Sequence, residues 1–135
     1  MIKTVKFLEN EEFIMNLLIS TYENNVENFN NELKKLKEKG KIQLGDTISL
    51  STSLSLAISD LEYLIEKCDK VVKKIDSTFW RFLFKENKKK VLELKKRFQE
   101  GLENLSKQMK KVEEIEEALN EKFAKAIVEK AFASV

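Results

Sequence analysis

A lone thiol at Cys68, an acidic run at Glu113, Glu114, Glu116 and Glu117, and an aromatic block running into lysines between Phe79 and Lys90 are the places where side-chain type and spacing suggest chemistry. Cys68 has no second cysteine to pair with, and it falls on an apolar register with Leu61 and Ile65. It therefore reads as a small buried core residue. Four glutamates on one helical stretch resemble the start of a carboxylate-bridged metal site, but such sites also recruit histidine from paired helices. The chain has none, so the run reads as a solvated face and no metal or cofactor is expected. No nucleophile with a nearby base and no phosphate-binding loop is present either. The expectation is a protein without catalytic residues.

The third place offers two readings. Phe79, Trp80, Phe82 and Phe84 are followed by Lys85, Lys88, Lys89 and Lys90. In one reading the rings plug the end of a bundle and the lysines decorate a turn. In the other, an aromatic and basic edge meets anionic lipid headgroups or a partner, each lysine near such a surface contributing about 1 kcal/mol.

These groups need a scaffold, and composition limits it sharply. The 135 residues suit a single domain over 1–135, and 42% hydrophobic with 36% charged residues, no proline and 3 glycines favour long helices. A net charge of +2 from 25 basic and 23 acidic side chains gathers no nucleic acid. With no leader-like N-terminus and no apolar run of membrane-spanning length, the sequence reads as intracellular and cytoplasmic, at most peripheral to a membrane.

Hydrophobic spacing then sets out the elements. Phe13, Ile14, Leu17, Leu18, Tyr22, Val26, Phe29, Leu33 and Leu36 predict an amphipathic helix from Glu11 to Lys39, capped by Asn10. Its asparagine-rich centre offers a break near Asn24, which would make a fourth helix. Gly40 to Thr47 reads as a tight connection. Ile48 to Ile58 alternates with Ser and Thr as a strand would, yet a lone strand has no pairing partner, which favours helix. From Leu54 through Ile58, Leu61, Ile65, Cys68, Val72, Ile75 and Phe79 the spacing alternates four and three. A last helix is expected from about Lys85 to Phe132. The fold class is all-α, an antiparallel helical bundle of three to four long helices with a long C-terminal helix.

That last helix outruns its neighbours, and its stripe continues through Leu119, Phe123, Ile127 and Phe132. These four are the candidate surface for a second protomer or a helical protein partner. Charge is also polarised along it. Residues 85–97 carry seven basic and two acidic side chains, net +5, whereas 100–121 carry three basic and seven acidic, net −4. Such polarity suits directed assembly into a homo-oligomer.

One resemblance adds to this reading. Lys39-Gly40-Lys41-Ile42-Gln43-Leu44, the heptad stretch Leu61 to Ile75, the block Phe79-Trp80-Arg81-Phe82-Leu83, and Lys88-Lys89-Lys90 leading into Val91 to Leu105 resemble the HeLo group of four-helix bundles. Mixed-lineage kinase domain-like N-terminal domains belong to that group, and the likeness covers about residues 39–108. It implies a non-catalytic bundle that self-associates and contacts anionic membranes in cell-death or immune signalling. Trp80 would then anchor the turn before the last helix, with the neighbouring lysines facing lipid. The alternative is a small regulatory or inhibitory protein that holds one protein partner through its C-terminal helix.

Overall fold

The computed structural model describes residues 1–133, excepting the side chains of Phe123, Lys125 and residues 127–130. The fold is all-α. Helix α1 spans Ile2–Lys39, α2 Leu44–Ser77 and α3 Lys85–Ala133, with a 3₁₀ turn at Arg81–Phe84 between the last two. Connections this short force consecutive helices to run antiparallel. At 1.5 Å per residue, α1 is about 57 Å long, α2 about 51 Å and α3 about 73 Å, so α3 is the element that outruns the bundle.

Helix α1 begins at Ile2, nine residues before the expected start, so Asn10 lies inside the helix and caps nothing. The apolar spacing of Val5, Leu8 and Met15 already carries the helix through that region. Nor does α1 break at Asn24. Asn25 Nδ2 donates to Asp60 Oδ2 of α2 at 2.8 Å, and Phe29 is buried on the next turn. Tertiary contacts thus outweigh the weak helix propensity of asparagine. The helix closes at Gly40, whose φ of 69° is left-handed and whose N–H donates to the Leu36 carbonyl at 2.9 Å.

Residues 41–43 suffice to reverse the chain. The Gln43 N–H donates to the Asp46 carboxylate at 2.9 Å, the return arm of a capping box. The segment 48–58 is helical throughout. Its Ser and Thr side chains do not oppose this, because Ser51 and Thr52 hydroxyls both donate back to the Ile48 carbonyl. Leu50 and Leu54 turn inward, while Ile48 and Leu56 face solvent.

Helix α2 is the shared wall. Its deepest residues, Leu50, Leu54, Ala57, Leu61, Leu64, Cys68, Val71 and Ile75, follow an unbroken alternation of four and three. Leu54, Leu61, Cys68 and Ile75 form one column, flanked by Ala57, Leu64 and Val71 on one side and half-buried Ile58, Ile65 and Val72 on the other. Polar contacts show which neighbour each flank serves. Asp60 and Lys67 reach α1, whereas Asp69 pairs with Lys95 and Asp76 with Lys88 of α3. Phe98, Leu105 and Val112 of α3 and Met15 and Phe29 of α1 complete the main core. Gly101 lets α3 approach closely: the position a Cβ would take there lies 3.4 Å from both Leu61 Cδ1 and the Tyr22 hydroxyl.

Helices α1 and α3 both pack mainly on α2, and meet each other through side chains such as Tyr22 at Gly101. Among the described residues no Cα of α1 comes within 8 Å of one in α3.

One buried ion pair fixes the α1–α2 register. Glu11 and Lys67 are 7% and 11% exposed at their side chains, and Lys67 Nζ lies 3.0 Å from Glu11 Oε2. It donates a hydrogen bond to Oε1 at 3.4 Å, so Oε2 is held by charge alone. Lys70 adds a second cation at 3.7 Å. The Glu11 hydrogen bond pushes the Lys67 ammonium above its ordinary value, against the opposing effect of burial. Removing one partner strands the other, so Glu11→Leu or Lys67→Met alone should cost about 2–3 kcal/mol, below the usual 3–5 because Lys70 stands in and Lys67 can reach toward solvent. The double variant should recover most of that loss, as measured by urea unfolding of all four proteins; simple additivity of the two singles would refute a coupled pair.

Candidate functional site

The chemically loaded surface lies at one end of the bundle, where α2 stops, the 3₁₀ turn reverses the chain and α1 begins. Helix α2 ends at Ser77 and Thr78 is extended, with its N–H still bonded to the Ile75 carbonyl. That departure takes Phe79 off the apolar register on which it was expected. It is 78% exposed, and it meets Trp80 edge to face at a centroid distance of 5.3 Å. Trp80 is itself 40% exposed and stands 6.2 Å from the Phe82 ring. Phe82 and Leu83 face outward as well. Phe84 does the opposite. It is buried with Val71 and Ile75 under Val5, Phe7 and Leu8 of α1 and Val91 of α3, and it is withdrawn from the contact surface expected of it. The end-plug reading therefore holds for Phe84 alone, because the 3₁₀ turn puts one ring inside and leaves the others in water.

The lysines divide similarly. Lys85, Lys89 and Lys90 are exposed, whereas half-buried Lys88 donates to Asp76 Oδ1 at 2.7 Å and ties α3 to the end of α2. Two contributors were missed in the sequence. The start of α1 brings exposed Met1 and Ile2 to this end, with Lys3 and Lys6. From α2, Lys70 and Lys74 each hold a cation 5.8 Å from the Phe7 ring centroid. The periodic Val5 and Leu8 were the available signal that α1 reaches so far. Exposed aromatic rings on the same end as exposed lysines can sit where water meets an anionic, partly apolar phase.

Next to this end lies a cleft between α1 and α3, floored by Val71 of α2. Its volume is about 330 Å³. Leu8, Met15, Ile19, Val91 and Leu94 make it apolar, and Glu12, Asn16, Asn87 and Lys90 rim it. No spacing in the sequence announced it, because it arises from the separation of two helices.

At the far end of α3 the candidate positions are scattered. Leu119 is half-buried, Phe132 is 82% exposed, and the side chains of Phe123 and Ile127 lie outside the described residues. Of the acidic run, Glu113, Glu114 and Glu117 are exposed and Glu116 is half-buried. Among the described residues no group of three or more His, Cys, Asp or Glu is placed to hold a metal ion. Nor is any helix among them long and apolar enough to cross a membrane.

These features define an all-α helical bundle with an exposed aromatic and basic end beside an open apolar cleft. No family model, curated protein or solved structure matches this chain.

Cys68 is fully buried and free, as its register implied. Burial, reinforced by Asp69 and partly offset by Lys95, pushes its thiol from 9.0 up to about 11. Burial also raises the Tyr22 hydroxyl, with Glu23 adding to the effect. Groups held neutral in the fold but ionised in the unfolded chain make stability fall as pH rises. The Cys68 contribution should be intact below pH 9.0 and lost progressively toward about 11. Urea midpoints measured across that window should drop in the native chain, and less so in Cys68→Ala. Below it, a thiol reagent should label Cys68 slowly until urea opens the core; fast native labelling would contradict the burial.

Proposed function

We propose that this chain is a non-catalytic helical-bundle interaction module that self-associates and docks on anionic membrane surfaces through its aromatic and basic end. The observation that carries this reading is the outward placement of Phe79, Trp80 and Phe82, 78%, 40% and 65% exposed, beside Lys85, Lys89 and Lys90. Leaving such rings in water gives the fold nothing, whereas an interface rewards them with apolar burial and attraction of about 1 kcal/mol per lysine. A role in cell-death or immune signalling follows from the resemblance to HeLo-type bundles. The setting is cytoplasmic.

A second reading is favoured by the projecting end of α3. There the protein is a small regulatory or inhibitory module that captures one protein partner through its C-terminal helix. Removing residues 121–135 should then abolish capture and leave the helical core intact.

Vesicle flotation separates the two readings. At low salt the chain should float with phosphatidylserine-containing vesicles and not with phosphatidylcholine alone, and the fluorescence of Trp80, the single tryptophan, should shift to the blue. Lys85→Glu with Lys89→Glu should weaken binding by on the order of tenfold or more, given about 1 kcal/mol per lysine. Absence of flotation at low salt would remove the membrane reading.

A further inference from the structure

We infer that the bundle docks end-on, its helices standing steeply on an anionic bilayer, and that the first turns of α1 enter the contact beside the exposed rings. This rests on the membrane reading in the proposed function and gives that reading its full contact face and its orientation. Charge selects the pose, because all three helices change sign on leaving the aromatic end. In α1, Lys3 and Lys6 are followed by residues 7–33, which hold six acidic side chains and no basic one. In α2, residues 67–76 hold four basic and two acidic side chains, whereas residues 44–66 hold four acidic and no basic. In α3, residues 85–97 carry net +5 and residues 100–121 net −4.

These changes fall at one level of the bundle. Glu11 pairs with Lys67, so the first glutamates of α1 lie level with the first lysine of α2. The pairs Asp69–Lys95 and Asp76–Lys88 are seven residues apart on both helices, and the same antiparallel register sets Lys67 level with Arg97. These pairs also neutralise the two aspartates within the basic zone. From Lys67 to Ser77 the zone is about 15 Å deep at 1.5 Å per residue. An upright bundle therefore holds its acidic body beyond the screening length of about 10 Å at ordinary salt. Apolar exposure agrees, since Ile2, 75% exposed, shares this end with Phe79, Trp80 and Phe82. Other poses meet repulsion or lack one of the two attractions. The flank of α1 exposes Phe13 and Leu17, but these lie among Glu9, Glu12 and Glu23 in the stretch without cations, which an anionic surface repels. At the opposite end, residues 34–41 hold five basic and one acidic side chain, yet α1 and α2 expose no aromatic ring there. Phe132 is exposed at the tip of α3, where residues 119–133 hold three basic and two acidic side chains.

Vesicle binding by variants of the full chain tests the pose. Lys3→Glu with Lys6→Glu should weaken binding to phosphatidylserine-containing vesicles on the order of tenfold or more, and Ile2→Ser should weaken it by a smaller factor. Acidic residues in the first turns of α1 suit the helix dipole, so the swap leaves the helix intact. Lys39→Glu with Lys41→Glu, and Phe132→Ser, should leave binding unchanged. A fluorophore carried on Ser77→Cys, Ser20→Cys or Lys41→Cys reads the orientation, because brief labelling of the folded chain bypasses buried Cys68. Lipid bearing a nitroxide on its headgroup should quench the label at 77 and spare those at 20 and 41.

Failure of the native chain to float overturns both this inference and the membrane reading behind it. Flotation indifferent to the Lys3 and Lys6 swap, or labels quenched equally at 77 and 20, overturns the upright pose and leaves membrane docking standing. Equal weakening by the Lys39 and Lys41 swap likewise overturns it. Displacement from vesicles by soluble polyglutamate at matched charge would overturn lipid as the occupant in favour of an acidic polymer.

Discussion

The structure depends on one helix presenting apolar side chains over a wider arc than a single neighbour can cover. Helix α2 does this with two overlapping heptads that share Leu54, Leu61, Cys68 and Ile75. Leu54, Ala57, Leu64 and Cys68 are completely shielded from solvent, which no two-helix hairpin achieves. Two partners are required, and each receives its own flank. The polar contacts at the edges of those flanks, Lys67 to Glu11 on one side and Asp69 to Lys95 on the other, then fix registers that apolar packing leaves loose.

That arrangement also explains what is left open. Because α1 and α3 are spaced by the breadth of the α2 stripe, no element among the described residues covers the third side. The opening is deepest toward the aromatic end. Further along, Tyr22 reaches across to Gly101 and narrows the gap with a single ring. A residue bulkier than glycine at 101 would press on Tyr22 and Leu61, so the same small residue that brings α3 close to α2 also lets α1 touch α3 by a side chain. Cleft and bridge are consequences of one packing geometry.

Much of the fold was legible in the sequence, and the gaps have physical causes. The all-α class, the helical identity of 48–58 and the span of α3 followed from periodicity and from the impossibility of an unpaired strand. The heptad through Ile58, Ile65 and Val72 was read as the core, yet the deeper column is Ala57, Leu64 and Val71. Two registers one residue apart satisfy the same four-three spacing, and only the position of the neighbours decides between them. The start of α1 was missed because Asn10 with Glu11 and Glu12 imitates a cap, a local signal overridden by Val5, Leu8 and Phe7 packing near Phe84. Within the aromatic block, residue spacing did not decide which ring turns inward; the stop of α2 at Ser77 and the 3₁₀ turn after it separate buried Phe84 from exposed Phe79, Trp80 and Phe82. The cleft was illegible for a further reason: it belongs to a pair of helices that hardly touch.

Exposed rings and an open apolar cleft lower the stability and solubility of an isolated chain, and this chain places both on the same half of the molecule. The lysines there keep the rings hydrated and repel indiscriminate stacking of one basic end on another. They attract whatever is acidic, and the acidic surface nearest in kind is the distal stretch of α3. Along α3 the charge changes from net +5 over 85–97 to net −4 over 100–121, and exposed charges of this kind act over a range set by the screening length of about 10 Å at ordinary salt. Since the rings at 79–82 project from the turn and the cleft lies between helix flanks, filling one does not cover the other.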